Sequence, residues 1–314
     1  MTPQSPLSRR TLLGSTAALL AGSAMPAAAQ LAPAASASRR RVLRAAHITD
    51  AHVDGKKGSD RGLAACFRHI AAQKDPVEVI LNTGDTVMCV NGVDAADAQR
   101  QWNVWSDAVR SECRLPLINA LGNHDSWGWA TSAAEPLRGK RLALERLAMP
   151  ERFHHVQRGG WSILALDSIF GSYTGRLDEP QLEWLRGELA AIPATQPVCV
   201  LTHIPIITAC GFFDGERCKD GAWTVPGSWM HEDAAELNRL FLKHPNVRLC
   251  LSGHMHQVDR VDFHGVAYIC GGAVCASWWN GRYYQCDYGY GLVNFYDDGS
   301  FDYDYLTYGW QTVS

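Results

Sequence analysis

Hydrophobic positions in this chain fall into two patterns. Five continuous apolar runs, at 42–49, 77–83, 115–121, 198–202 and 247–252, are rich in Val, Ile, Leu and Ala. Runs this short and this evenly apolar read as strands covered on both faces. Between them, at about 61–74, 95–110, 137–147, 179–191 and 231–243, apolar residues recur at helical spacing. From residue 257 onward the period shortens again. Strands are predicted at 258–263, 266–270, 291–296 and 300–306, with Asp298-Gly299 as a hairpin turn. Strand and helix in alternation predict an α/β protein in which two packed sheets are flanked by helices.

Each of the five runs ends in a polar cluster, and the clusters are of one chemical kind. The runs lead in turn into Asp50-Ala51-His52, Gly84-Asp85, Gly122-Asn123-His124-Asp125, His203, and Gly253-His254-Met255-His256. In sheets of this type ligands gather beyond the carboxyl ends of the strands, where all five clusters fall. Asp50 and His52 are two residues apart, as are His254 and His256, so on an extended backbone each pair projects to one side and can converge on one ion. Carboxylate, imidazole and amide oxygen, without thiolate, make a mixed set suited to Fe, Mn or Zn. Glycine before three of the clusters lets the backbone turn sharply and approach closely. A lone His at the end of an apolar run is more often a satisfied polar residue than a ligand, and it is the joint placement that argues for a metal centre. His47, inside a strand run, reads as a partly buried histidine behind the ligands. His69, His154, His155, His231, His244 and His264 lack partner spacing and read as ordinary surface or structural histidines.

The ordered set Asp50-x-His52, Gly84-Asp85, Gly122-Asn123-His124-Asp125, His203 and Gly253-His254-x-His256 resembles the calcineurin-like metallophosphoesterase superfamily, from about Asp50 to His256. The segment Leu166-Asp167-Ser168, Gly171, Gly175-Arg176-Leu177 and Gln181-Leu182-Glu183-Trp184-Leu185 is similar to a stretch frequent in the branch containing class III cyclic nucleotide phosphodiesterases. The resemblance implies a four-layer αββα sandwich of two mixed sheets flanked by helices, with the site at the carboxyl ends of the strands. It implies two divalent or mixed-valence transition metal ions, Fe, Mn or Zn. Asp50, His52, Asp85 and His256 would hold one, and Asp85, Asn123, His203 and His254 the other, with Asp85 as the bridge. Two cations roughly 3.5–4 Å apart can share a hydroxide, lower its pKa and aim it at phosphorus. His124 would stabilise the transition state or protonate the leaving oxygen, and Asp125 would orient that imidazole.

Departures from related groups narrow the reaction. Protein phosphatases of the superfamily continue their G-D with Asp-Arg-Gly, where this chain has Thr86-Val87-Met88-Cys89. Purple acid phosphatases place a tyrosine three residues after the bridging Asp, a position held here by Met88. Too few residues come after His256 for the C-terminal domain of the 5′-nucleotidase group. Many class III cyclic nucleotide phosphodiesterases have an acidic residue near Met88 and Cys89, which sets this chain apart from them. The expected activity is hydrolysis of phosphodiesters, nucleotide-type esters among them. A broad phosphomonoesterase is the alternative, and a non-catalytic exported binding protein is disfavoured because every ligand type and the motif histidine are present.

The N-terminus adds a location. Ser8-Arg9-Arg10-Thr11-Leu12-Leu13 resembles the twin-arginine export motif, followed by a mild apolar stretch from Leu12 to Met25 and a small-residue cleavage site at Ala27-Ala28-Ala29. That stretch is short of the ~20 apolar residues a membrane span needs. The reading divides the chain into a signal peptide at 1–29, a flexible linker at 30–41 and one catalytic domain at 42–314, with the twin-arginine machinery as partner, a periplasmic or secreted location and no stable membrane span in the mature chain. The formal charge of −3 becomes −5 without Arg9 and Arg10, so no basic nucleic-acid groove is expected. Ten cysteines in an exported chain invite disulfides. Cys66, Cys199 and Cys250 sit in apolar patterns and read as buried small hydrophobes. Cys210 with Cys218 is the best candidate pair, and Cys275 with Cys286 a weaker one.

Aromatic loops come after three of the clusters, at 126–136, 206–230 and 275–290. They carry Trp127 and Trp129, then Phe212, Phe213, Trp223 and Trp229, then Trp278, Trp279, Tyr283 and Tyr284. Each leaves a ligand-bearing strand end, so an aromatic wall for a base, acyl or aryl group is one reading and simple packing of the loops is the other. Arg138, Lys140, Arg217, Lys219 and Arg282 are basic residues in or beside these loops that could meet a second phosphate.

Overall fold

A computed structural model describes residues 39–128, 138–171 and 173–313. The expected signal peptide, most of the expected linker and Trp129 lie outside the described residues. In chain order the elements begin with β1 (Arg41–Ile48), α1 (Ser59–Ala71), β2 (Val79–Asn82), α2 (Ala95–Glu112) and β3 (Leu117–Asn119). A 3-10 turn at Asn123–Asp125 precedes α3 (Arg141–Arg146), β4 (His154–Arg158), β5 (Trp161–Ala165), the short pair β6 (Ile169–Phe170) and β7 (Thr174–Gly175), and α4 (Glu179–Ala191). Then come β8 (Val198–Leu201), α5 (Cys210–Phe213), a small ribbon of β9 (Cys218–Lys219) and β10 (Ala222–Trp223), and α6 (Ala234–Leu242). The described chain closes with β11 (Val247–Ser252), β12 (Asp259–Phe263), β13 (Val266–Cys270), β14 (Gly289–Tyr296) and β15 (Phe301–Thr307).

Two mixed sheets carry the fold. One has the order β15-β14-β1-β2-β3, with β1, β2 and β3 parallel; the other has the order β12-β13-β11-β8-β5-β4, with β13, β11, β8 and β5 parallel. Alternation along each strand assigns residues to layers. Leu43, Ala45, Val79 and Leu81 meet Ile163, Cys199, Leu201, Leu249 and Leu251 between the sheets. On the outer face of the first sheet, Ala46, Ile48 and Ile80 meet Leu63, Phe67 and Ile70 of α1 and Trp102 and Trp105 of α2. On the outer face of the second, Leu164, Val198 and Val200 meet Leu182, Leu185 and Leu189 of α4 and Leu237 and Phe241 of α6. The layers therefore run helix, sheet, sheet, helix, as expected. Each Val, Leu, Ile or Phe among them contributes on the order of 1.5–3 kcal/mol when fully buried.

Local chemistry accounts for the helix limits. Asp94 and Asp178 cap α2 and α4, accepting from the N–H of Asp97 and Gln181. The helix expected over 137–147 shrinks to Arg141–Arg146, because Gly139 exchanges two backbone hydrogen bonds with Trp127. The hairpin of β4 and β5, turning at Gly159-Gly160 with both φ positive, supplies two strands absent from the five runs.

Two expectations are corrected. The arginines at the end of the expected linker are structured: Arg41 opens β1, Arg39 pairs with Asp302 at 2.9 Å over the ring of Tyr296, and Arg40 pairs with Asp297. Acidic groups on β15 and on the turn after β14 hold them there. Neither disulfide forms, and all ten cysteines are free. Cys210 faces inward against Met255 and Cys270, whereas Cys218 is exposed on the ribbon. Cys275 lies beside His256, and the Cys286 sulfur accepts from the N–H of Val258. Cys66, Cys199 and Cys250 are buried, as small hydrophobes should be.

Candidate metal centre

The polar clusters all stand at the carboxyl ends of parallel strands, three from the first sheet and two from the second, so they face one another across the rim of the sandwich. The backbone there is not extended. Asp50 and His52 have φ of 51° and 43°, Asp85 51°, and His254 and His256 70° and 54°. Non-glycine residues in this left-handed region cost roughly 1–2 kcal/mol each. Convergence of each pair thus comes from tight left-handed turns and not from strand alternation, which corrects the geometric reason given by the sequence. Close backbone approach helps: a Cβ on Gly84 would lie 2.4 Å from the Gly122 nitrogen, so the second and third clusters touch only because that atom is absent.

Each carboxylate is half used. Asp50 Oδ2 accepts from the Thr49 hydroxyl at 2.6 Å and the His254 N–H at 2.8 Å. Its Oδ1 is buried without a well-formed hydrogen bond, 3.2 Å from His256 Nε2 and 3.7 Å from His52 Nε2. Asp85 Oδ1 accepts from the His124 N–H, while its Oδ2 lies 3.2 Å from His203 Nε2 and 3.6 Å from His52 Nε2. Asp85 therefore touches both halves of the cluster. On one side Asn123 Oδ1 is 3.0 Å and His254 Nδ1 3.1 Å from His203 Nε2. On the other, His52 Nε2 is 3.1 Å from His256 Nε2.

This donor set fits cations. Backbone carbonyls lie at the outer nitrogens: Met88 O at His52 Nδ1, Thr83 O at His203 Nδ1 and Ala276 O at His256 Nδ1, at 3.3, 2.8 and 2.6 Å. A carbonyl can only accept, so each Nδ1 carries a proton and Nε2 is left as the inward nitrogen, able to hold a proton or a cation. His52 and His256, 3.1 Å apart at Nε2, are left to share one proton or one cation. The charges agree. Burial would raise the Asp50 and Asp85 carboxyls, but the surrounding imidazoles, His256 foremost at Asp50 and His203 at Asp85, hold both below the ordinary carboxylate range. Among the described residues, His52 with Asp85 and His124, Asp85 with His203 and His254, and His52 with His256 and Cys275 bring ligand atoms within 4.8 Å of one another. Cys275 was not in the expected set.

His124 sits at the edge of this group, half-buried, with Nε2 3.9 Å from Asp85 Oδ2 and Nδ1 against Met88 O. Burial works against its charged form, but Asp85 and the Cys89 thiol outweigh it and raise the pKa to about 10. The expected pairing of Asp125 with this ring is corrected. Asp125 is fully buried and accepts from the N–H groups of Thr86, Val87 and Gly122, which ties the second cluster to the third. Burial, then the Asp85 charge, raises its carboxyl to about 7.

Several supporting groups were not singled out by the sequence. Ser168 Oγ accepts from the N–H of His203 and of Ile204, each at 3.0 Å, and so gives the Leu166-Asp167-Ser168 stretch a role beside the site. His47, expected to be partly buried behind the ligands, is fully buried and meets Thr83 Oγ1 at 2.9 Å and the Tyr303 hydroxyl at 3.3 Å, one residue layer behind His203. The aromatic loops divide. Trp127 is buried with its indole N–H on Val93 O, and Trp279 is fully buried. Trp278 lies over His256 with ring centroids 4.2 Å apart at 31°, and Tyr283 stands edge-on to it. The Tyr284 hydroxyl reaches Asp214 at 2.7 Å and joins the third loop to the second. Of the basic residues, Lys140 is spent on Asp167 and Ile169 O, Arg138 on Gly128 O, and Arg217 on Asp214 O and the Trp229 ring. Lys219 and Arg282 are exposed.

Comparison with known proteins agrees with this architecture. The family model described as calcineurin-like phosphoesterase matches residues 43–258. The 3′,5′-cyclic adenosine monophosphate phosphodiesterase CpdA of Escherichia coli K12 is 27% identical over 251 residues, covering 77% of this chain and 79% of its own. A probable cyclic nucleotide phosphodiesterase of Synechococcus is 30% identical over 224 residues, covering 68% of this chain and 74% of its own. A dimetal phosphatase from Danio rerio superposes with a TM-score of 0.61 at 13% identity, over 86% of this chain and all of that one, which shows a shared fold. The chain belongs to the calcineurin-like phosphoesterase family and is a metal-dependent phosphoester hydrolase.

Proposed function

We propose that this chain is an exported hydrolase of phosphodiesters, nucleotide-type esters among them, working at a two-cation centre. The observation that carries the reading is the position of Asp85 Oδ2, within 3.2 Å of His203 Nε2 and 3.6 Å of His52 Nε2, between two half-sites of inward ring nitrogens. Asp50, His52, Asp85 and His256 would hold one cation and Asp85, Asn123, His203 and His254 the other. Bound there, a pair of Fe, Mn or Zn ions supplies Lewis acidity that lowers the pKa of water and neutralises phosphoryl oxygens. The chain does the rest. Thr49 and the His254 N–H fix Asp50, the His124 N–H fixes Asp85, and backbone carbonyls fix three imidazoles. His124, with Nδ1 committed to Met88 O, holds a proton at Nε2 beside Asp85 and delivers it to the leaving oxygen. Trp278, half-exposed over His256, offers an apolar face to the esterified group.

The relatives' names support a diester substrate, while Met88 and Cys89, standing where many members of the branch it resembles have an acidic residue, argue against cyclic AMP as that diester; a broad phosphomonoesterase is the second reading. Turnover of bis-p-nitrophenyl phosphate, p-nitrophenyl phosphate and cyclic AMP, with Mn, Fe or Zn added and then with a chelator, separates them. The diester should have the higher kcat/KM, and the chelator should abolish all turnover. A monoester preference would move the assignment to the second reading, and turnover indifferent to chelation would sink the two-cation centre.

A further inference from the structure

We propose that Trp279 is a positioning residue of the centre, acting through its indole N–H on the backbone of Asp50–His52. The inference rests on the two-cation reading above. The first cluster is held from two directions. Its N–H groups point to the second cluster: Asp50 N to Gly84 O at 2.9 Å and His52 N to Asp85 O at 3.0 Å. Its carbonyls point the other way, into the loop after β13. Thr49 O accepts from Val274 N at 3.0 Å and Asp50 O from Cys275 N at 3.2 Å. The next two carbonyls, of Ala51 and His52, both accept from one donor, Trp279 Nε1, at 3.1 and 2.9 Å.

Those two carbonyls belong to the turn in which Asp50 and His52 take their left-handed backbone. Strained residues persist only where surrounding contacts over-determine them. Ala51 and His52 are buried, so without the indole N–H no solvent replaces the bond. The ring itself is fixed. It is fully buried, is stacked on Tyr288 at 23°, and fills the space where a Cβ on Gly62 would lie 2.1 Å from Cζ3. The same loop returns to the last cluster, since Ala276 O receives His256 Nδ1. Asp50, His52 and His256, three of the four donors of one half-site, are thus braced by a single loop whose anchor is Trp279.

The test separates the N–H from the ring. Trp279→Phe removes both donor and part of the packing. Site-specific replacement by benzothienylalanine keeps the bicyclic ring and removes only the N–H. On the full chain, Mn(II) binding is monitored by calorimetry and electron paramagnetic resonance, and folding by thermal melting. The wild type should bind two ions and give an exchange-coupled signal. The isostere should melt close to wild type yet bind one of the two ions on the order of 10–100-fold more weakly, with the signal of an isolated ion at limiting Mn. Unchanged binding of both ions in the isostere overturns the inference and leaves the two-cation reading standing. Weaker binding accompanied by a melting temperature of the metal-free isostere well below that of the metal-free wild type marks Trp279 as packing only and also overturns it. A wild type that binds no transition ion overturns both.

Discussion

His124 separates chemistry from metal holding within one cluster. Its main-chain N–H fixes Asp85 Oδ1, its Nδ1 is taken by Met88 O, and its Nε2 faces the centre from the rim without belonging to either half-site. His124→Ala leaves the backbone N–H in place, so metal occupancy should stay near wild type. The rate should fall by on the order of 10²–10⁴, the usual contribution of a positioned proton donor. The loss should be smaller for p-nitrophenyl esters, whose leaving group needs no proton, than for alkyl esters. Steady-state kinetics on both ester types, with metal analysis alongside, checks this. Equal losses for the two would argue against proton donation and leave His124 only charge stabilisation.

At the scale of elements, the loop after β13 matters as much as the strands, and α1 is shaped to receive it. Leu63, Cys66, Phe67 and Ile70 give that helix its buried face, and Gly62 shares the face with no side chain of its own. By helix propensity alone, Ala at 62 would be favoured over Gly by about 1 kcal/mol. The added Cβ would stand 2.1 Å from a ring packed between α1, Tyr288 and Trp310, and overpacking of this kind costs about 1–3 kcal/mol. The collision should win because the ring has no open side. Gly62→Ala should therefore lower the urea midpoint, with m unchanged, and not raise it. A higher midpoint would mean that Trp279 moves aside freely and is not a fixed anchor.

For the whole molecule, the centre cannot exist until both sheets have closed, because its donors run from Asp50 on the first to His256 on the second. Under the proposed export, such a centre would be assembled before transport of the folded chain. No helix among the described residues is long and apolar enough to cross a membrane. The proposed twin-arginine route makes Arg9 and Arg10 the determinants of location. Changing both to Lys should leave full-length, metal-loaded and active protein in the cytoplasm, with none processed in the periplasmic fraction. Immunoblots and activity of the two fractions decide the matter, and normal appearance of a shortened product in the periplasm would refute the route.

The sequence by itself carried the five ligand-bearing strands, their succession along the chain and the donor types at their ends, because apolar runs, helical spacing and the polar residues that end each run are local properties of the chain. The helix at Glu179–Ala191 and the strand at Val247–Ser252 were legible to the residue for that reason. It also carried the hydrogen-bonding capacity of each cluster, though not its geometry. That the histidines and aspartates turn through left-handed backbone, that Asp125 serves three N–H groups and not an imidazole, and that Cys210 meets Cys270 and not Cys218 depend on contacts between distant segments. The adjacent Trp278 and Trp279 make the same point. Nothing in their order says which ring is buried and which lies over His256; the gap left by Gly62 and the two free carbonyls of Ala51 and His52 decide it, and those come together only when α1, β1 and the loop after β13 have packed.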